Sequence, residues 1–242
     1  MNQVEPNSSQ YGLKNDWENV QEILEEIIPV YDKTNRYISL GTDLKLRKRG
    51  IELLLAEFKD RYFTILDFGC GTGTMTCLFR EMTRSNDLVL VDPIPAMLRV
   101  AKKRTGEDGL LAVYESLPFQ KTSVDAAMAG FSLRDARDLD AAMTQIIGLL
   151  KKNGKFLIVD LSKPDSSSKS FLISIYWRAI APVIAFISSG RLGLKFGALS
   201  KTFNRLPKIS EFLEVARRHG FQISKTEFSM VGGACIILLE KS

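Results

Sequence analysis

The sequence predicts an α/β protein built on a mostly parallel sheet with helices on both faces. Two observations carry that prediction. Five short apolar runs alternate with helical segments between Tyr62 and Leu161, and the chain closes on two strands around a Gly-Gly pair. The runs are YFTILDF from Tyr62, DLVLVD from Asp87, LLAVY from Leu110, VDAAMAGF from Val124 and KFLIVDL from Lys155. Helical segments follow Gly73 and Pro95, and another runs from Asp138 to Lys151.

Ahead of this pattern, Asp16 precedes a helix whose apolar positions Trp17, Val20, Leu24, Ile27 and Ile28 recur at helical spacing. The first fifteen residues are polar and are expected to be loosely attached. Thr42 is placed to cap a second helix reaching about Phe58. Its stripe is Leu44, Ile51, Leu54, Leu55 and Phe58, with Lys45, Arg47, Lys48 and Arg49 expected on a basic outer face. These helices make residues 1–60 an N-terminal extension to a domain spanning 61–242. That domain divides into a core at 61–162, a lid-like helix at about 168–190, and a C-terminal helix and hairpin at 207–240.

The lid-like segment contains FLISIYWRAIAPVIAFIS from Phe171, nearly long enough to cross a bilayer. Arg178 and Pro182 near its middle point instead to a buried or surface-docking helix. A Gly- and Ser-rich bend follows. Pro207 is expected to open a helix ending at His219-Gly220, which leaves His219 as an exposed C-terminal residue favoured by the helix dipole. The final strands flank Gly232-Gly233 as an antiparallel hairpin.

The 242 residues are 45% hydrophobic and 25% charged, which excludes disordered, collagenous and disulfide-scaffold classes. A net charge of +5 permits contact with an anionic membrane or nucleic acid and requires neither. Cys70, Cys77, Cys235 and the single His219 lack zinc-ligand spacing, so no metal is expected. Free thiols and the absence of an apolar signal region point to the cytoplasm.

The chemistry concentrates in Ile65-Leu66-Asp67-Phe68-Gly69-Cys70-Gly71-Thr72-Gly73, a strand entering three alternating glycines and then a helix. Glycines let a ligand approach the backbone. Asp67 would repel a pyrophosphate but suits an ammonium group, and the loop has no Lys or Arg. Asp92 ends the next strand, where a carboxylate accepts hydrogen bonds from both ribose hydroxyls of an adenosine. Together these features predict S-adenosylmethionine. Two other readings stay open: a plain strand–helix turn with Asp92 capping the next helix, and an NAD site. Asp67 and Thr74 weaken the second, since Thr74 stands where a third Gly or Ala belongs.

From about Tyr31 onward the chain resembles the class I methyltransferases and, more closely, the ubiquinone/menaquinone C-methyltransferase family. The resemblance rests on Tyr31-Asp32-x-x-Asn35, Ser39-Leu40-Gly41, the glycine loop, Asp92-Pro93, Met97-Leu98 and Leu117-Pro118-Phe119. It continues in Phe131-Ser132-Leu133-Arg134-Asp135, Leu149-Leu150-Lys151-Lys152-Asn153-Gly154 and Ser162-Lys163-Pro164. It implies a Rossmann-like seven-stranded sheet of order 3-2-1-4-5-7-6 with strand 7 antiparallel. By the same resemblance Asp67, Gly69, Gly71, Thr72 and Gly73 hold the methionine end of S-adenosylmethionine, and Asp92 holds its ribose. Met97 lies near the adenine, Tyr114 offers main chain there, and Tyr31 closes over the cofactor. Gly130 and Phe131 line the meeting place of donor and acceptor, and Arg134 is the catalytic candidate, stabilising a phenolate or orienting a water.

Departures fall at Val113, where the family has Asp or Asn, at Asp43, Leu44 and Leu46, where it has His, Arg and Trp, and at Ala198, where it has Tyr. The implied activity is C-methylation of a lipophilic quinol in quinone biosynthesis, with S-adenosylhomocysteine as product. The alternatives are an N- or O-methyltransferase for small molecules or lipids, or a non-catalytic scaffold of a quinone-synthesis complex. The expected partners are a lipophilic aromatic substrate, a membrane surface touched peripherally and a second copy of the chain. No nucleic acid is expected.

Overall fold

The computed structural model describes residues 11–13, 16–59, 61–83, 86–197, 203 and 205–242. The expectation for most of the first fifteen residues, and the departure at Ala198, lie outside them. The amphipathic N-terminal segment forms α1 (Trp17–Ile27), which buries Trp17, Val20, Leu24 and Ile27. Pro29 sits in a single 3-10 turn that leads into α2 (Tyr31–Ile38). The next helix, α3 (Thr42–Phe58), is capped not by Thr42 but by Gly41 in the left-handed region. Thr42 is the first helical residue, and its hydroxyl donates back to the Ser39 carbonyl at 2.5 Å instead of accepting a helix N–H.

The sheet contains β1 (Thr64–Phe68), β2 (Asp87–Asp92), β3 (Asp108–Leu111), β4 (Val124–Gly130), β5 (Leu150–Leu161), β6 (Phe221–Ser229) and β7 (Ala234–Lys241). Its order is β3-β2-β1-β4-β5-β7-β6, with β7 antiparallel to both neighbours. β1, β4 and β7 are almost wholly buried, as strands covered on both faces must be. β6 alternates and stays largely exposed at the sheet edge.

Helices α4 (Thr74–Met82) and α5 (Pro95–Thr105), together with α3, bury one face of the sheet around Leu54, Phe79, Ala101 and Met128. On the other face lie α6 (Leu139–Leu149) and the last helix, around Phe156, Ile146 and Val215. β1 is flanked by β2 on one side and β4 on the other, so the chain reverses its winding there. That reversal opens a crevice at the C-terminal strand ends.

Three further details differ from the sequence expectation. The lid-like segment forms α7 (Ser167–Ile175), a π-helical stretch at Tyr176–Ile180 and α8 (Ala181–Leu194), with a kink at Gly190. Pro182 stands inside this continuous helix, directly after the π-helical stretch, whose wider turn accommodates a residue without an N–H. The last helix, α9 (Ile209–Arg218), begins after Lys208 rather than at Pro207, and Glu211 accepts the Lys208 N–H at 2.8 Å. His219 is half-buried, its Nε2 2.8 Å from Asp140, because α6 packs beside that helix end.

Candidate functional site

The crevice is built from three loops. After β1, Gly69 and Gly71 both have positive φ. A Cβ at Gly69 would strike the Ser132 side chain, whereas one at Gly71 would meet only the Tyr31 ring edge at 4.0 Å. Gly69 is thus required by close packing, and Gly71 leaves backbone open to a ligand.

Asp92 binds this loop in place. Its Oδ2 accepts the Gly71 N–H and its Oδ1 the Ile94 N–H, each at 2.8 Å. The carboxylate therefore does part of what the capping reading requires while fixing the glycine turn. Thr72 is also occupied, its hydroxyl donating to Asp32 at 2.6 Å, and Arg104 pairs with the other Asp32 oxygen at 2.8 Å. These bonds dock the start of α2 on the loop and bring Tyr31 over the crevice.

Asp67 is fully buried. The Thr76 hydroxyl donates to its Oδ2 at 2.6 Å, while Oδ1 has no partner. Burial raises the carboxyl to about 7, and raises Asp92 to about 6. Such a carboxyl binds its proton more tightly folded than unfolded, so its contribution to stability is lost as pH rises through the folded value. Without ligand, thermal stability is expected to fall between about pH 4 and pH 7, and Asp67→Asn, which keeps an acceptor for Thr76, to flatten the fall. Equal slopes in the two proteins would overturn the assignment.

Two clefts meet here. The first, about 560 Å³, is lined by Gly69, Gly71, Asp92, Met97, Val113 and Tyr114. The second, about 790 Å³, is lined by Ile38, Leu46, Arg47, Arg134, Trp177 and Met230. Tyr31 and Phe131 border both. Phe131 takes a positive φ, a strained conformation for an aromatic residue, immediately after Gly130 at the tip of β4.

Of the expected site residues, Tyr31, Gly69, Gly71, Asp92, Met97, Tyr114, Phe131 and Arg134 line the two clefts, whereas Asp67, Thr72, Gly73 and Gly130 stand behind the lining. Asp67 is bonded to Thr76 of α4 and Thr72 to Asp32, while Gly73 packs on Ala101 and Thr105 of α5, and Gly130 on Arg47. Tyr114 contributes more than main chain: its hydroxyl donates to the Phe68 carbonyl at 3.1 Å and shares a 2.8 Å hydrogen bond with Ser132. Glu115 lies in the first cleft with its carboxylate held by the Arg137 and Asp138 N–H groups.

Arg134 is buried and ion-paired, with Nη1 2.7 Å from Asp160 and Nε 3.8 Å from Asp135. Arg47 corrects the sequence reading. It does not join a basic outer face but lines the second cleft, its guanidinium 4.9 Å from the Phe131 ring centre. It precedes Ile51 and Leu54 by four and seven residues, in phase with the buried stripe, and that spacing was the available signal. Neither the Asp160 partner of Arg134 nor the wall formed by Trp177 and Met230 was marked in advance.

A sequence model of the ubiE/COQ5 methyltransferase family matches residues 12–240. A demethylmenaquinone methyltransferase of Bacteroides fragilis is 26% identical over 91% of this chain and 91% of its own. The ubiquinone/menaquinone biosynthesis C-methyltransferase UbiE of Campylobacter jejuni is 24% identical over 93% of this chain and 98% of its own. Among solved structures, a SAM-dependent methyltransferase from Thermotoga maritima superposes with a TM-score of 0.63 at 18% identity, covering 91% of this chain and 99% of that one. The chain belongs to the ubiE/COQ5 methyltransferase family and is an S-adenosylmethionine-dependent methyltransferase.

Proposed function

We propose that this enzyme C-methylates the reduced, aromatic form of a prenylated quinone, taken from the surface of the cytoplasmic membrane. The observation that carries the reading is the pair of clefts sharing Tyr31 and Phe131, one ending in buried carboxylates and the other walled by apolar side chains and guanidinium groups.

The first cleft fits the cofactor. Asp67 keeps a buried oxygen without a partner, suited to an ammonium group, and Asp92 stands where ribose hydroxyls bond. On this reading Asp67, Gly69, Gly71 and the Thr72–Gly73 turn hold the methionine end, with Met97 and Tyr114 at the adenine. When bound, S-adenosylmethionine supplies an electrophilic methyl group. The chain's own task is then positional: Tyr31 and Phe131 exclude water and fix the acceptor ring, and Arg134 polarises a ring hydroxyl.

Ser167–Leu194 is, among the described residues, the one helix long and apolar enough to cross a membrane, yet it lies along the molecular surface. Its inner side closes the second cleft with Trp177, Ala181 and Pro182. The Thr34–Ser189 hydrogen bond and the Tyr176 bond to the Ile38 carbonyl tie it to α2. Its outer side exposes Phe171, Leu172, Val183, Phe186 and Ile187, and the segment carries Lys169, Arg178 and Arg191 with no Asp or Glu. That composition suits a helix lying flat on an anionic bilayer, with the cleft mouth turned to the lipid.

The test is turnover with methyl-labelled donor and a demethylated prenyl-naphthoquinol in phosphatidylglycerol vesicles. Labelled product is expected from the quinol and none from the oxidised quinone, whose ring is electron-poor. Ile187→Glu is expected to reduce vesicle association about tenfold or more while leaving turnover of a short-chain quinol in detergent. Self-association of the chain instead of vesicle binding would assign the exposed face to a homodimer. Turnover of amines or lipid headgroups, with none of quinol, would overturn the quinol reading.

A further inference from the structure

Two guanidinium groups flank the Phe131 ring, and they differ in their counter-charges. Arg134, 5.9 Å from the ring centre, is neutralised by Asp160 and Asp135. Arg47 has no such pair: its Nε is buried without a partner, and it forms no ion pair among the described residues. Tyr31 and Asp32 of α2, Asp43 of its own helix and Asp67 of β1 act on it only through space. Burial pulls its proton affinity down, the mark of a charge held away from water.

The fold makes room for this charge. Gly130 ends β4 without a side chain, and a Cβ there would run into the Arg47 Nη1. The face of Phe131 offers partial compensation through its ring quadrupole. A half-buried cation left otherwise unpaired is destabilising, and an anion entering the cleft relieves it.

We propose that Arg47 binds the oxyanion of an ionised ring hydroxyl on the methyl acceptor, so that the enzyme selects its acceptor as a phenolate. The proposal rests on the quinol reading above. A phenolate oxygen pushes electron density into its ring, and a guanidinium hydrogen-bonded to it favours that form over the neutral phenol. Arg47 takes part in no bond change. The carboxylate of the methyl donor is the other oxyanion of matching chemistry. The lining favours the acceptor, because Arg47 borders the apolar cleft and not the one that contains Asp92.

The probe is 4-nitro-1-naphthol, whose neutral and ionised forms absorb at different wavelengths. It is titrated over a pH series into wild type, Arg47→Lys and Arg47→Met, with calorimetric titration of S-adenosylhomocysteine alongside. Wild type is expected to bind the anion and lower the apparent pKa of the probe by about one unit or more. Arg47→Met abolishes the shift and weakens the probe about tenfold, while Arg47→Lys retains part of both. All three keep S-adenosylhomocysteine affinity within about twofold, and Arg47→Met melts no lower than wild type.

An undiminished shift in Arg47→Met overturns the proposal. So does a tenfold loss of S-adenosylhomocysteine affinity with the probe unchanged, which assigns the charge to the donor carboxylate. Wild type that methylates quinol but binds no probe anion overturns this proposal and leaves the quinol reading standing. Arg47-dependent probe binding without quinol turnover does the reverse.

Discussion

Asp92→Ala is expected to lower the affinity for S-adenosylhomocysteine by about tenfold to a hundredfold. On the proposed reading, the change removes more than a ribose acceptor. Both carboxylate oxygens already receive backbone N–H groups, from Gly71 at 2.8 Å and Ile94 at 2.8 Å. Alanine leaves those donors without the partner that sets the glycine turn, so the variant loses contacts to the ligand and the preformed shape that receives it. Calorimetric titration of a variant shown to be folded by circular dichroism measures the loss. An affinity within about twofold of wild type would remove Asp92 from the cofactor site.

Arg134→Met is expected to have the largest effect on stability. The side chains of Arg134 and Asp160 are 10% and 7% exposed, and Asp135 is 14% exposed on the other side. Asp160 also accepts the Arg134 and Leu161 N–H groups, so it cannot turn away to solvent without breaking them. Deleting the cation leaves two carboxyls facing a buried site, at a cost of about 3–5 kcal/mol. For a chain of this size that lowers the melting temperature by roughly 10 °C. Burial already holds Asp135 at about 6, so the variant is expected to recover part of the loss in mild acid, where that carboxyl is neutral. An unchanged melting temperature would show that the ion cluster is not structural. Arg47→Met, which removes a cation that has no counter-ion, is expected to behave in the opposite way, so melting temperatures separate a guanidinium that braces the fold as well as facing the acceptor from one that carries no structural ion pair.

Much of the architecture was legible because its cause is local. β1, β4 and β5 read as apolar runs since they are covered on both faces, and the terminal hairpin was marked by Gly232-Gly233 between an alternating strand and an apolar one. Asp67, the glycines and Asp92 were legible for a different reason: a strand end followed by a turn confines the residue types that fit. What stayed hidden depends on partners distant in sequence. Arg134 could be marked as chemically apt, but its neutralisation by Asp160 is set by the pairing of β4 with β5. Arg47 sits within a run of basic residues that looks like a solvated face, and only the absence of a side chain at Gly130 makes space for it. The π-helical stretch directly before Pro182 also lay beyond the sequence reading, which expected one plain helix across this segment.

The central claim is that this crevice places an electron-rich ring carbon against a methyl donor. Its most direct test is the position of the transferred group, read by tandem mass spectrometry and NMR on product made with trideuteromethyl donor and a demethylated prenyl-naphthoquinol. The expected product carries the label on a ring carbon, has lost one ring hydrogen and keeps both hydroxyls. Label on a hydroxyl oxygen, or no product from an enzyme that binds S-adenosylhomocysteine, would contradict the account.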